Sequence, residues 1–157
     1  MTSLEQFNIS LQQSRNLCSR SEKCSSDIKH YLAKKDVSAE DIEKIICVLI
    51  KEKFIDESRY TEFYVNDKLK FNKWGKIKIR YTLRQKNIKD STISKTLANI
   101  NDSLYMKILK SVMTQKNREI NKKDSLKAKV SIIRFMSGRG FEYELIMKYI
   151  DSIIKTK

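Results

Sequence analysis

The fold is decided by residues 54–88, FIDESRYTEFYVNDKLKFNKWGKIKIRYTLRQKNI. They read as two helices with a tight corner at Trp74-Gly75. Asp56 and Glu57 stand at the start of the first helix, where the helix dipole favours negative charge. Tyr60, Phe63, Tyr64 and Phe71 recur at helical spacing and form an aromatic stripe. Gly75 permits a sharp change of direction. The second helix carries Ile79 and Leu83 on one face, and Ile77 and Tyr81 on nearly the opposite one. A helix apolar on two faces is expected to be sandwiched between neighbours. Lys76, Lys78, Arg80 and Arg84 lie between those faces. No other part of the chain combines so many aromatics with so much positive charge.

The same helix-corner-helix pattern recurs on both sides. Residues 3–19 form a first helix and residues 22–35 a second, with Ile28, Tyr31 and Leu32 on one face. Asp36 and Val37 make a corner, and Ser38 caps a third helix in a capping-box pattern with Asp41 in place of Glu. That helix buries Ile42, Ile45, Ile46 and Leu49. Shifting forward by 51 residues takes Ile28 to Ile79, Leu32 to Leu83, Val37 to Ile88, Ile42 to Ile93, Ile46 to Leu97 and Leu49 to Ile100. A further shift of 53 reaches Ile132, Met136, Phe141, Ile146, Ile150 and Ile153. Six apolar positions thus hold register three times, the signature of a repeat architecture. Asp36, Asn87 and Gly140 fall at one place just after a helix, and all three residue types tolerate the left-handed conformation that closes a helix. Lys35, Lys86 and Arg139 precede them. These cations serve either the helix dipole or a phosphate or carboxylate partner.

The first helix of each repeat aligns less well, with 3–19, 57–72 and 103–120 as candidates. The expected fold is all-α: three tandem three-helix, helix-turn-helix-like repeats in an elongated, curved array. Its units are residues 1–55, 56–101 (central and richest in motifs) and 102–157. One such unit of ~50 residues has a marginal core, and stacking units buries more surface.

Composition agrees. Pro is absent and Gly occurs three times, at Gly75, Gly138 and Gly140, too few turn residues for a β-rich fold. No apolar run is long enough to span a bilayer and no signal-peptide core follows the first residues, so a cytoplasmic protein is expected. Lys and Arg number 33 against 19 Asp and Glu, a formal charge of +14. That balance favours an acidic partner, nucleic acid or protein, although a lysine-rich soluble surface gives the same number.

Little in the chain points to chemistry. The three glycines are isolated and make no phosphate loop. The one histidine, His30, lies opposite the apolar face of its helix, which removes His-based triads and most metal sites. Cys18, Cys24 and Cys47 lack a paired C-x-x-C, and Cys24 shares a face with Ile28 and Leu32, so it is expected in the core. Asp67 falls within the aromatic stripe, where a buried pairing with a Lys or Arg is expected. The chain reads as a binding protein that is not an enzyme and needs no cofactor or metal.

The segments I-D-E-S-R-Y-T-E-F-Y-V-N-D-K (55–68), F-N-K-W-G-K-I-K-I-R (71–80) and L-R-Q-K-N-I (83–88) resemble the bacterial RecX regulatory proteins. G-R-G-F-E-Y-E-L-I (138–146) resembles that family's final repeat. Cys18-Ser19 and Glu22-Lys23-Cys24 are similar to the N-terminal repeat of its Bacteroidetes-type members. The resemblance runs from about residue 10 to 155. Asp36 and Asn87 depart from the glycine that the family often has at the corner. The resemblance implies a small all-helical modulator of RecA recombinase, acting in homologous recombination, DNA repair and the SOS response. It implies binding in the groove of the RecA nucleoprotein filament, most often with inhibition of ATP hydrolysis, strand exchange and co-protease activity, and DNA binding in some members.

Arg59, Lys73, Trp74, Lys76, Lys78, Arg80 and Arg84 are the expected contact residues for RecA or DNA, with Lys86 and Arg139 as further candidates. Trp74 has packing of the corner as its competing role, and the lysines a solvated face. A monomer bound to the RecA filament is the expected assembly, with single- or double-stranded DNA as a further candidate partner. The competing reading is a basic helical module that acts on DNA directly. Against it, no one helix concentrates the Arg, Asn and Gln that read base edges.

Overall fold

A computed structural model describes residues 1–120 and 124–155. Nine helices run through the described residues: α1 Ser3–Arg20, α2 Ser25–Lys34, α3 Ala39–Lys51, α4 Glu57–Lys70, α5 Lys76–Gln85, α6 Asp90–Ala98, α7 Asp102–Glu119, α8 Ser125–Gly138 and α9 Tyr143–Lys155. Their starts follow the caps in the sequence. The Thr2 hydroxyl accepts the Glu5 N–H while Glu5 reaches back to the Thr2 N–H. Ser38, Asp56, Asn101 and Asp124 each accept an N–H from the first turn they precede. α2 begins three residues later than its apolar pattern indicates, because Cys24 stands as its N-cap.

The repeated corner has one physical design. After α2, α5 and α8 the chain turns through Asp36 (φ 58°), Asn87 (φ 60°) and Gly140 (φ 89°). At each corner the following apolar residue donates its N–H to a carbonyl five residues back: Val37 to Leu32, Ile88 to Leu83, Phe141 to Met136. This is the Schellman closure, in which the residue after the left-handed position packs on the helix's last turn. The repeated apolar pairs 32/37, 83/88 and 136/141 are therefore the two sides of that closure. Of the eighteen repeat positions, all are buried except Val37, Ile100 and Ile153, which are partly buried. Lys53 (φ 63°) and Lys73 (φ 56°) adopt the same left-handed conformation after α3 and α4.

Helices pack three by three: α1 and α2 on α3, α4 with α5 and α6, and α7 with α8 and α9. The cores follow a different division. Leu11, Ile28, Leu32, Ile42, Ile45, Ile46, Leu49 and Ile55 form a core of their own within the first three helices. The other six helices share one continuous core running from Tyr60 through Leu83 and Tyr105 to Ile150. Cys24 belongs to this second core, although it precedes α2. It is fully buried, as expected, but against the neighbouring unit and not against its own helix. The protein exposes 10092 Å², where a compact monomer of its mass exposes roughly 8,200 Å². The excess surface is that of an extended array. Among the described residues no helix is long and apolar enough to cross a membrane.

Candidate interaction surface

The corner between α4 and α5 organises the basic surface. The left-handed Lys73 lets the Trp74 N–H bond to the Lys68 carbonyl at 3.0 Å, which closes α4. Trp74 is half-buried, and two ammonium groups lie against its ring: Lys68 at 5.0 Å and Lys78 at 4.4 Å from the centroid. Such contacts hold a cation over the negative face of an indole. Lys68 also lies 5.4 Å from the Tyr64 ring and 3.9 Å from the Asp67 carboxylate. Asp67 is thus only partly covered and loosely paired, not buried in a tight ion pair, because the aromatic stripe around it opens to solvent.

Gly75 has a reason the sequence did not expose. Its φ of −80° and ψ of 168° are open to any residue. Its lack of a side chain serves close approach: a Cβ there would lie 2.3 Å from the Gly140 carbonyl oxygen. Gly140 faces it under the same constraint, with its own Cβ position 2.3 Å from the Lys78 Cβ. The two glycines let the start of α5 dock on the end of α8. The Gly75 N–H donates to Arg139 O at 2.8 Å, and the Ile77 N–H to Gly140 O at 3.0 Å. Between them the Lys76 N–H donates to the Tyr105 hydroxyl at 3.0 Å. That hydroxyl in turn donates to the Glu142 carboxylate in a short bond. Burial and the Glu142 carboxylate push the Tyr105 phenol well above its usual range. The first N–H groups of a helix ordinarily lack partners, and here the third helical triplet supplies them.

The nine expected contact residues fall into separate places. Arg59 donates to Glu22 at 2.7 Å and to the carbonyls of Lys53 and Phe54 at 3.2 Å each. The hydrogen bond to Glu22 raises its pKa further. Lys86 donates to Asp27 at 2.8 Å, with Tyr60 and Tyr64 beside it. Burial alone pushes the Asp27 carboxyl up, but the bonds from Lys86 and from the Cys24 N–H outweigh it and hold the carboxyl below its usual range. Arg59 and Lys86 therefore tie the first unit to the second. Arg139 bonds the Asn72 carbonyl and lies 5.2 Å from the Phe135 ring centroid, and Lys76 lies over Tyr105 at 4.7 Å. Arg80 donates to Ser94 and Arg84 pairs with Asp90 at 2.7 Å. Lys73, Trp74 and Lys78 are the ones brought together at the corner, and neither lysine has an ion-pair partner among the described residues.

One face was read differently from the sequence. α5 is not sandwiched: Ile79 and Leu83 are fully buried, while Ile77 and Tyr81 are 55% and 61% exposed. Phe71, counted in the aromatic stripe, is 80% exposed. Helical periodicity locates an apolar stripe but does not say what covers it. The result is a basic corner bordered by uncovered apolar side chains, which is the composition of an interaction surface. His30 is exposed, and no group of three potential metal ligands lies together among the described residues.

Comparison with known proteins agrees with this geometry. The family model for RecX, second three-helix domain, matches residues 56–97, the span of α4, α5 and most of α6. The chain is 33% identical over 135 residues to the regulatory protein RecX of Clostridium acetobutylicum, covering 83% of this chain and 62% of that protein. It is 32% identical over 130 residues to the RecX of Clostridium botulinum strain Alaska E43, covering 81% and 60%. It thus spans about three fifths of the length of the curated relatives it matches. The crystal structure of RecX from Lactobacillus salivarius shares the fold, with a TM-score of 0.81 at 19% identity over 96% of this chain and 97% of that one. A second crystal structure, of a regulatory protein RecX, superposes with a TM-score of 0.84 at 22% identity over 94% of this chain and 72% of that one. With the repeat, the central motifs and the fold in agreement, the chain belongs to the RecX family of regulatory proteins.

Proposed function

We propose that this protein is a regulator of RecA that binds the RecA nucleoprotein filament and inhibits its ATPase, strand-exchange and co-protease activities. The supporting observation is the α4–α5 corner: two lysines without ion-pair partners, a tryptophan and uncovered apolar side chains, all within the span that matches the family model. It acts by binding and not by catalysis, as a cytoplasmic monomer without a cofactor. Its working units are 1–55, 56–101 and 102–157, of which residues 121–123 and 156–157 lie outside the described residues.

The physics supports a filament partner. An extended array with a charge of +14 is drawn to an acidic polymer, and contacts to successive subunits add through effective concentration. Lys73 and Lys78 flank Trp74 and have no ion pair among the described residues, whereas Arg59, Arg84 and Lys86 are each paired with a carboxylate of this chain, so the two lysines are better placed to reach a partner.

The test is single-stranded-DNA-dependent ATP hydrolysis by RecA during titration of this protein, with mobility of the DNA alone as control. Inhibition well below one protein per RecA, with little DNA shift at that concentration, supports filament regulation. A strong DNA shift, with inhibition only at DNA saturation, would replace this reading with direct DNA binding. Lys73→Glu/Lys78→Glu is expected to move the inhibitory midpoint upward by about tenfold, the effect of two lost interfacial charges of roughly 0.7 kcal/mol each. Its melting temperature should fall by no more than a few degrees, the cost of losing the Lys78 contact with the Trp74 ring.

A further inference from the structure

Tyr105 is fully buried, yet its hydroxyl is engaged on two sides. It donates to the Glu142 carboxylate. With its proton so committed, it accepts the Lys76 N–H at 3.0 Å. The ring packs against Phe141 at 5.8 Å between centroids, and the Lys76 ammonium lies 4.7 Å from its centroid. One side chain of the third unit thus holds Lys76 at both ends. The same unit holds the groups on either side. Arg139 donates to the Asn72 carbonyl while its own carbonyl accepts the Gly75 N–H, and Gly140 accepts the Ile77 N–H. Four backbone groups between Asn72 and Ile77 therefore end in the third unit, whereas the Trp74 N–H returns to α4.

We infer that Tyr105 is a positioning residue for the contact corner: it fixes the start of α5, and so the place of Lys78 over the Trp74 ring, without touching the partner. The inference rests on the filament reading above and adds that the third unit sets the geometry of a surface carried by the second. Lys78 stands two residues past Lys76 in the first turn of α5. A tilt of that turn moves its ammonium off the ring, whose centroid it approaches to 4.4 Å. An interaction site keeps its geometry when a second layer of side chains locks the first. Burial excludes Tyr105 itself from any interface. An effect of its hydroxyl on partner binding must therefore pass through the corner.

Trp74 is the only tryptophan of the chain, so its emission reports the corner. Tyr105→Phe keeps the ring and removes the hydroxyl. Ile150→Val is the control: it trims a fully buried side chain two turns into α9, with a comparable loss of thermal stability. The free proteins are compared by Trp74 emission and acrylamide quenching. Labelled proteins are compared by anisotropy on RecA filaments formed on single-stranded DNA, well below the melting transition. In Tyr105→Phe, Trp74 is expected to emit further to the red and to quench more readily. Filament affinity should fall about fivefold, the equivalent of one hydrogen bond. Ile150→Val should match the wild type in both readouts. A change in one readout of Tyr105→Phe without the other, or in neither, would overturn the inference and leave filament regulation standing. An equal loss of affinity in Ile150→Val would do the same. Absence of filament binding by the wild type would overturn both readings.

Discussion

The first unit meets the second through side chains, whereas the second meets the third chiefly through direct backbone bonds. At the first joint Arg59 reaches Glu22 and Lys86 reaches Asp27, and Cys24 is the apolar side chain that crosses from one unit into the other's core. Both ion pairs are partly open to water. At the second joint α5 and α8 bond N–H to carbonyl with two glycines in contact, and one core runs through both triplets. Ion pairs near water are screened by salt and titrate with pH. Backbone bonds beside a continuous core do neither. One repeat is thus connected in two ways, one adjustable and one fixed.

The sharpest way to break the fixed joint is a methyl group. Gly75→Ala should cost about 3 kcal/mol, because the Gly140 carbonyl cannot retreat without breaking the docking. Denaturant unfolding measures it, and a loss below about 0.5 kcal/mol would show that the glycines are not what permits the contact. Gly140→Ala should cost at least as much, since its φ of 89° adds strain to the clash with Lys78.

The adjustable joint should give smaller and condition-dependent effects. Lys86→Met leaves Asp27 half-buried without its cation and is expected to cost about 1–2 kcal/mol. In 1 M salt the cost should shrink, whereas that of Gly75→Ala should not. The pH dependence has a definite sign. Asp27 is held below its usual range in the fold, so its contribution is present above the ordinary aspartate value. It is lost as pH falls through the lower folded value, in the region below about pH 4. An acid titration in which Lys86→Met loses no less stability than wild type would contradict this.

Cys24 reports on the same joint without altering it. Burial pushes its thiol up to about 11, while Cys47 is exposed. In a Cys18→Ser/Cys47→Ser background, Cys24 should label at least tenfold slower than Cys47 does in the wild type. Its rate should rise with salt if opening of the ion-pair joint admits the reagent. A rate that ignores salt would mean that the joint opens only with global unfolding.

The smallest effect concerns Glu57. One carboxylate oxygen is buried without a partner, and burial raises the pKa. A raised carboxyl favours the protonated form in the fold, so its contribution falls as pH rises from the unfolded through the folded value. Glu57→Gln should therefore add a few tenths of a kcal/mol at pH 7. The gain should vanish near pH 4, as equilibrium unfolding at the two values would show.

Much of this could be read in the chain beforehand, and what could not has identifiable causes. Asp36, Asn87 and Gly140 were legible as left-handed corners because their residue types are the ones that tolerate it. Lys53 and Lys73 make the same turn with a side chain that gives no such signal. The Gly75–Gly140 contact joins two visible glycines through a pairing that no local pattern encodes. Arg59 and Lys86 were legible as contact residues, and Lys86 also as a cation for a carboxylate, but that their partners are Glu22 and Asp27 of the first unit could not be read, because those residues lie far away in sequence. The outer face of α5 resembled core because periodicity records hydrophobicity and not burial.

The docking of α5 on α8 also gives the chain a direction in time. The start of α5 is completed by Arg139, Gly140 and Tyr105, all of which leave the ribosome after it. Until then its first amides have only water to satisfy them, and the central unit waits for its successor before it is finished. The first unit, with a core of its own, has no such wait. A nascent chain stalled after α6 would carry a settled first unit and an unfinished second.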